Sequence, residues 1–182
     1  MRAAALAVML LAGCEPGSEL DRTDLRAEDI QAVALRVFEE MCLQQLPTMA
    51  EVRPALLAVA EQELGEKPTL DRDAYSTVAS RRAGMILTRG TPAWPAFEGE
   101  HRCEVQTNAL PVEETTEAAL DLFKAEGRAG FALTEARPDH IGERQAWTVA
   151  GTRPGMRFEV ATGAAAEGGN RQVILRLAWR DG

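Results

Sequence analysis

The chain has 182 residues, 20 basic and 28 acidic, with a formal charge of −8 at pH 7 and 46% hydrophobic composition. That length is one domain's worth, enough to bury a proper core and too little for several. The acidic balance argues against a nucleic-acid partner, because such a surface repels a phosphate backbone.

The amino-terminal stretch carries one basic residue, Arg2, then the apolar run Ala3 to Leu10, then Leu11-Ala12-Gly13-Cys14 before the polar Glu15-Pro16-Gly17. This is the n-region, h-region and small-residue cleavage layout of a secretory signal. It is too short to span a bilayer, which takes roughly 20 apolar residues. Leu11-Ala12-Gly13-Cys14 resembles the lipobox of bacterial lipoprotein precursors, a resemblance confined to the first fourteen residues. It implies removal of residues 1–13, a diacylglycerol on the Cys14 thiol, acylation of the new amino terminus and attachment to the membrane through that lipid. Several chains anchor stably where one is marginal, at about 0.8 kcal/mol per buried methylene. Glu15 stands where some lipoproteins carry an inner-membrane retention aspartate, so a periplasm-facing address on the outer membrane is expected in a cell that has one. The plainer alternative is an ordinary signal peptide cleaved elsewhere, with Cys14 incidental.

Residues 1–13 contain one charge, Arg2, so the remainder holds 19 basic and 28 acidic residues, a formal charge of −9. With Cys14 set aside, Cys42 and Cys103 remain, and a pair of cysteines in an exported chain reads as a disulfide. Closing a loop of about 60 residues stabilises a fold by roughly 4 kcal/mol in the chain-entropy model.

Residues 15–23 are polar, contain Pro16 and Gly17 and show no periodicity; they read as a flexible tether ahead of a single domain over 24–182. From Asp24 the apolar residues Ile30, Val33, Ala34, Val37, Phe38 and Met41 recur at helical spacing, with Cys42 at the edge of that face and Pro47 as the stop. A second helix opens either at the capping-box sequence Thr48-Met49-Ala50-Glu51 or at Pro54, and runs to Leu64 with Gly65 behind it. A third, shorter helix is expected over Asp71 to Arg82, although Ser76, Thr77 and Ser80 weaken its propensity.

The period then turns to alternation. Met85 to Arg89 and His101 to Thr107 read as strands, the second with Cys103 and Val105 on one face and Arg102, Glu104 and Gln106 on the other. A helix follows over Glu113 to Glu126, its first turns rich in glutamate, and then strands over Ala129 to Glu135, Arg144 to Ala150, Met156 to Thr162 and Gln172 to Arg180. In the last two, Met156, Phe158 and Val160 oppose Val173, Leu175, Leu177 and Trp179, with turns at 153–155 and 168–170. The expectation is an α+β fold: amino-terminal helices on one face of a mostly antiparallel sheet of about six strands, with one further helix between the second and third strands.

No catalytic, metal or nucleotide motif stands out. His101-x-Cys103 superficially resembles a pair of metal ligands on one strand face, yet a structural zinc site wants four ligands and reduced sulfur, so neither metal nor cofactor is expected. Asp139-His140 resembles a base with its orienting carboxylate, but neighbours in sequence rarely face each other; Ser76 and Ser80 read as exposed helix residues. Glu113 and Glu117 lie one helical turn apart, which is most simply a solvated helix start. The segment 91–97, with Trp94 and Phe97 between two prolines, could present aromatic surface to a partner at low entropic cost, or fold back over the sheet edge.

Two classes of function follow. The first is a non-enzymatic binding or structural lipoprotein that contacts an envelope protein or a small ligand. The second is a small envelope enzyme of hydrolase type working through carboxylates, with an inhibitor of a periplasmic enzyme as a further alternative.

Overall fold

A computed structural model describes residues 27–81, 83–91, 99–124, 130–136, 144–152, 155–165 and 171–180. The expectations for the leader and Cys14, the tether, Trp94, Phe97, Asp139, His140, residues 153 and 154 of the 153–155 turn and the 168–170 turn lie outside these residues.

Helix α1 (Ala27–Met41) forms where the apolar period is strongest, and Val37, Phe38 and Met41 are fully buried. It ends earlier than Pro47: a 3-10 turn, Leu43–Gln45, follows Cys42. Helix α2 (Val52–Val59) starts between the two expected openings and continues as a π turn to Leu64. Gly65 stops it with φ 64°, a left-handed conformation that glycine adopts without a Cβ clash.

The helix expected over Asp71 to Arg82 is absent. That stretch is instead the short strand β1 (Leu70–Asp71), a turn, and β2 (Tyr75–Ser80). Ser76, Val78 and Ser80 point inward and Tyr75, Thr77 and Ala79 outward, a period of two that the small polar residues disguise. The two serines are buried, not exposed, and each is satisfied: Ser76 Oγ donates to Asp71 Oδ1 at 2.6 Å and Ser80 Oγ accepts from Ala83 N at 3.2 Å.

β3 (Met85–Gly90) and β4 (Glu100–Leu110) fall where alternation is expected, β4 running longer at both ends. At Gly90 a Cβ would lie 1.9 Å from the Ala74 carbonyl oxygen, so only glycine lets the β1–β2 turn close there. Helix α3 (Val112–Leu122) is followed by β5 (Leu133–Ala136), β6 (Arg144–Val149), β7 (Arg157–Ala165) and β8 (Arg171–Arg180).

All eight strands form one antiparallel sheet in the order β1-β2-β3-β4-β8-β7-β6-β5. Among the described residues the sheet thus has eight strands where about six were expected. The late helix lies between the fourth and fifth strands, not the second and third, because residues 70–80 supply two strands in place of a helix. The β7–β8 hairpin has the expected pairing, Phe158 opposite Leu177 and Val160 opposite Leu175.

The helices pack on one face. Cys103, Leu177 and Phe158 lie in one cross-strand row there, as do Val105, Leu175 and Val160 in the next. Phe158 meets Phe38 of α1 at 5.7 Å, Phe123 beyond α3 at 5.0 Å and Trp147 of β6 at 5.3 Å, so one ring joins the helix layer to the sheet. Gln31 Nε2 donates to Thr115 Oγ1 at 3.0 Å, tying α1 to α3.

Candidate functional site

Cys42 and Cys103 are bonded, with Cα atoms 5.7 Å apart and neither residue exposed. The link crosses from the end of α1 to a central strand. It also removes the metal reading of His101-x-Cys103, since a disulfide sulfur is no thiolate donor. Among the described residues no group of three or more His, Cys, Asp and Glu is placed to hold a metal ion.

His101 shares the helix-side face with Cys103. Its ring stacks on Trp179 at 5.6 Å and its Nδ1 lies 3.1 Å from Thr91 Oγ1. These residues line a small cavity of about 240 Å³, bounded also by Arg53, Asp73 and Arg89. Arg53 is committed to a fork with Asp71, Nε to Oδ1 at 3.0 Å and Nη2 to Oδ2 at 2.9 Å, and to Asp73 at 3.0 Å. Arg89 donates to the carbonyl oxygens of Arg72 and Asp73 and to Ser76 Oγ. Arg53 therefore holds the β1–β2 turn against α2, and Arg89 holds it against β3. Hydrogen bonds from Arg53 and then Ser76 pull the Asp71 carboxyl from 3.8 down to about 2.

Glu113, Glu114 and Glu117 are exposed on α3. They follow the far end of β4 from His101, and none of them lines the cavity that His101 lines. The carboxylate cluster and the described histidine therefore do not converge.

On the sheet face away from the helices runs a chain of ion pairs that sequence reasoning missed. Arg176 Nε binds Glu104 at 2.6 Å and its Nη1 binds Glu159 at 3.1 Å. Glu159 accepts from Arg157 at 3.1 Å, Arg157 reaches Glu100 at 3.0 Å, and Glu100 accepts from Arg102 at 3.0 Å. Three glutamates and three arginines alternate across β4, β8 and β7, so the ladder is neutral. Arg176 and Glu159 have side chains only 6% exposed. Burial disfavours the Arg176 charge, but Glu104 and Glu159 outweigh it and raise its pKa above the ordinary arginine range. Burial, followed by the nearby Arg176 charge, lowers that of Arg102. A signal was there to find: Glu-x-Arg-x-Glu at 100–104 and Arg-x-Glu at 157–159 put opposite charges on one strand face.

A second concavity lies on the helix side, between the end of α3 and the β5–β6 edge. This groove of about 590 Å³ is walled by Leu120, Phe123, Phe131, Leu133 and Trp147, with Lys124 and Glu135 at its rim. Phe131, Leu133 and Trp147 are half-buried, so apolar surface is offered to solvent. Strand pairing sets Glu135 opposite Trp147 and Leu133 opposite Val149, which puts a carboxylate on the apolar side of β5. Lys124 Nζ is paired with Asp121 Oδ1 at 2.6 Å. The volume falls within the range of small-molecule sites, and the alternation Phe131, Leu133, Glu135 was the groove's sequence trace.

Among the described residues no helix is long and apolar enough to cross a membrane. No protein-family model, curated protein or solved structure matches the chain.

Proposed function

We propose that the chain is a lipid-anchored protein of the bacterial cell envelope, held by Cys14 and facing the periplasm, whose folded part is a binding module. In a cell with two membranes the outer one is the proposed address. Leu11-Ala12-Gly13-Cys14 and the polar segment behind it support the anchor. The Cys42–Cys103 bond supports an oxidising compartment, since such bonds are rare where thiols are kept reduced, and it leaves Cys14 as the unpaired sulfur.

The observation that carries the binding reading is the aromatic groove of α3, β5 and β6. It is a concave surface of about 590 Å³ walled by Leu120, Phe123, Phe131, Leu133 and Trp147, and Glu113, Glu114, Glu117 and His101 lie outside its lining. Half-buried rings around a cleft cost solvation in the free protein and recover it when a ligand covers them.

The test of the anchor is fractionation of cells making the wild-type chain or Cys14→Ser. Wild type is expected in the membrane fraction and the variant in the soluble exported fraction or as an uncleaved precursor. Identical distribution of the two chains would overturn the anchor.

A further inference from the structure

We infer that the α3, β5 and β6 groove binds a small organic cation in free solution, an ammonium group carried on an apolar or aromatic body. This deepens, and rests on, the reading of the folded part as a binding module.

The floor of the groove is aromatic. Phe123, Phe131 and Trp147 line it, and Trp147 is backed by Phe158 at 5.3 Å with the planes inclined by 24°. Aromatic faces carry negative potential and attract cations, most strongly at tryptophan and where water is partly excluded.

The charges at the rim point the same way. Lys124 is matched by Asp121 one turn earlier on α3. The Glu135 carboxylate makes no ion pair or hydrogen bond with any described residue and lies across the strand pair from Trp147. A carboxylate with no partner among the described residues, set beside an indole ring, favours a cation by both terms. An anionic ligand would meet Glu135 and the ring faces as repulsion, and a neutral one would leave both unused.

A volume of about 590 Å³ is large enough to seat a small ligand. The body of the ligand would cover Leu120, Phe131 and Leu133, giving the half-exposed apolar residues their partner.

The test uses three probes that share a benzyl body: benzyltrimethylammonium, benzyl alcohol and phenylacetate. The full chain, ¹⁵N-labelled and kept soluble in non-ionic detergent, has three indole N–H resonances, from Trp94, Trp147 and Trp179; Trp147→Phe identifies the one in the groove. Benzyltrimethylammonium is expected to move that resonance saturably and to bind about ten-fold more tightly than benzyl alcohol, with phenylacetate weaker still. Glu135→Gln, an exposed substitution that leaves the rest of the spectrum in place, is expected to weaken the cation about ten-fold and benzyl alcohol hardly at all.

Equal affinity for cation and alcohol, or an unchanged affinity in Glu135→Gln, would overturn the cation while leaving the groove a binding site. A Trp147 resonance that no probe moves would overturn both. Movement by phosphatidylcholine vesicles but not by the free cation would overturn the soluble ligand in favour of a lipid headgroup.

Discussion

The two faces of the sheet are held by opposite means. On the helix side Val105, Leu175, Leu177 and Phe158 meet α1 and α3 in an apolar layer closed by one covalent bond. On the other side Glu104, Arg176, Glu159, Arg157, Glu100 and Arg102 exchange charge across the same three strands. The apolar layer gains from every buried methylene and tolerates small misfits, whereas the ladder is satisfied only when each donor faces its acceptor. The first supplies stability and the second fixes register: a one-residue slip of β8 would turn Arg176 toward the core and Leu177 outward.

That contrast can be broken on either side. The largest effect is expected from Phe158→Ala, which empties the position where Phe38, Phe123 and Trp147 meet; equilibrium unfolding should show a loss of about 3–5 kcal/mol. A loss under 1 kcal/mol would mean that the helices are not held through this ring. Opening the disulfide, by reductant or by Cys42→Ala with Cys103→Ala, should cost about 4 kcal/mol, most of it by freeing the unfolded chain.

The ladder should behave asymmetrically. Arg176→Met alone strands Glu104 and Glu159 and should cost about 3 kcal/mol in denaturant unfolding. The triple change Arg176→Met, Glu104→Leu and Glu159→Leu should return to within about 1 kcal/mol of wild type or exceed it. If the triple variant loses more than the single one, the ladder contributes net stability and not register.

The smallest effect concerns the β1–β2 turn. Asp71 is held at about 2, below its ordinary 3.8, so its pairing with Arg53 and Ser76 contributes fully above about pH 4 and is lost as pH falls through about 2. Thermal midpoints of wild type and Arg53→Met should therefore converge between pH 4 and pH 2 and keep a constant small gap from pH 5 to 7. A gap that survives at pH 2 would assign the Arg53 contribution to packing.

How much of this was legible follows from the same physics. The cysteine pair could be read because two cysteines remain once Cys14 is set aside, and the β7–β8 hairpin because large apolar residues at alternate positions leave little choice of face, as at Phe158, Val160, Leu175 and Leu177. Residues 70–80 could not. Two of the three inward positions of β2 are Ser76 and Ser80, whose burial depends on Asp71 and on the Ala83 amide, partners that only the folded chain supplies. The ladder was hidden for a related reason. Arg176 and Glu104 are 72 residues apart, and a lone charge on a strand resembles a solvated one until its partner is placed beside it. The groove needed the β5–β6 register, because only the pairing of Glu135 with Trp147 brings an ordinary glutamate to the proposed site.

The proposed address joins the helix face to the leader: three cysteines, one lipid-bearing and two bonded to each other. The intact mass of the chain recovered from cell membranes tests this most directly. The expected species begins at Cys14, carries the mass of its acyl chains and is two hydrogens lighter than its reduced form, with Cys42 and Cys103 in the linked peptide. A chain that retains residues 1–13 with Cys14 unmodified and both other thiols free would contradict the account.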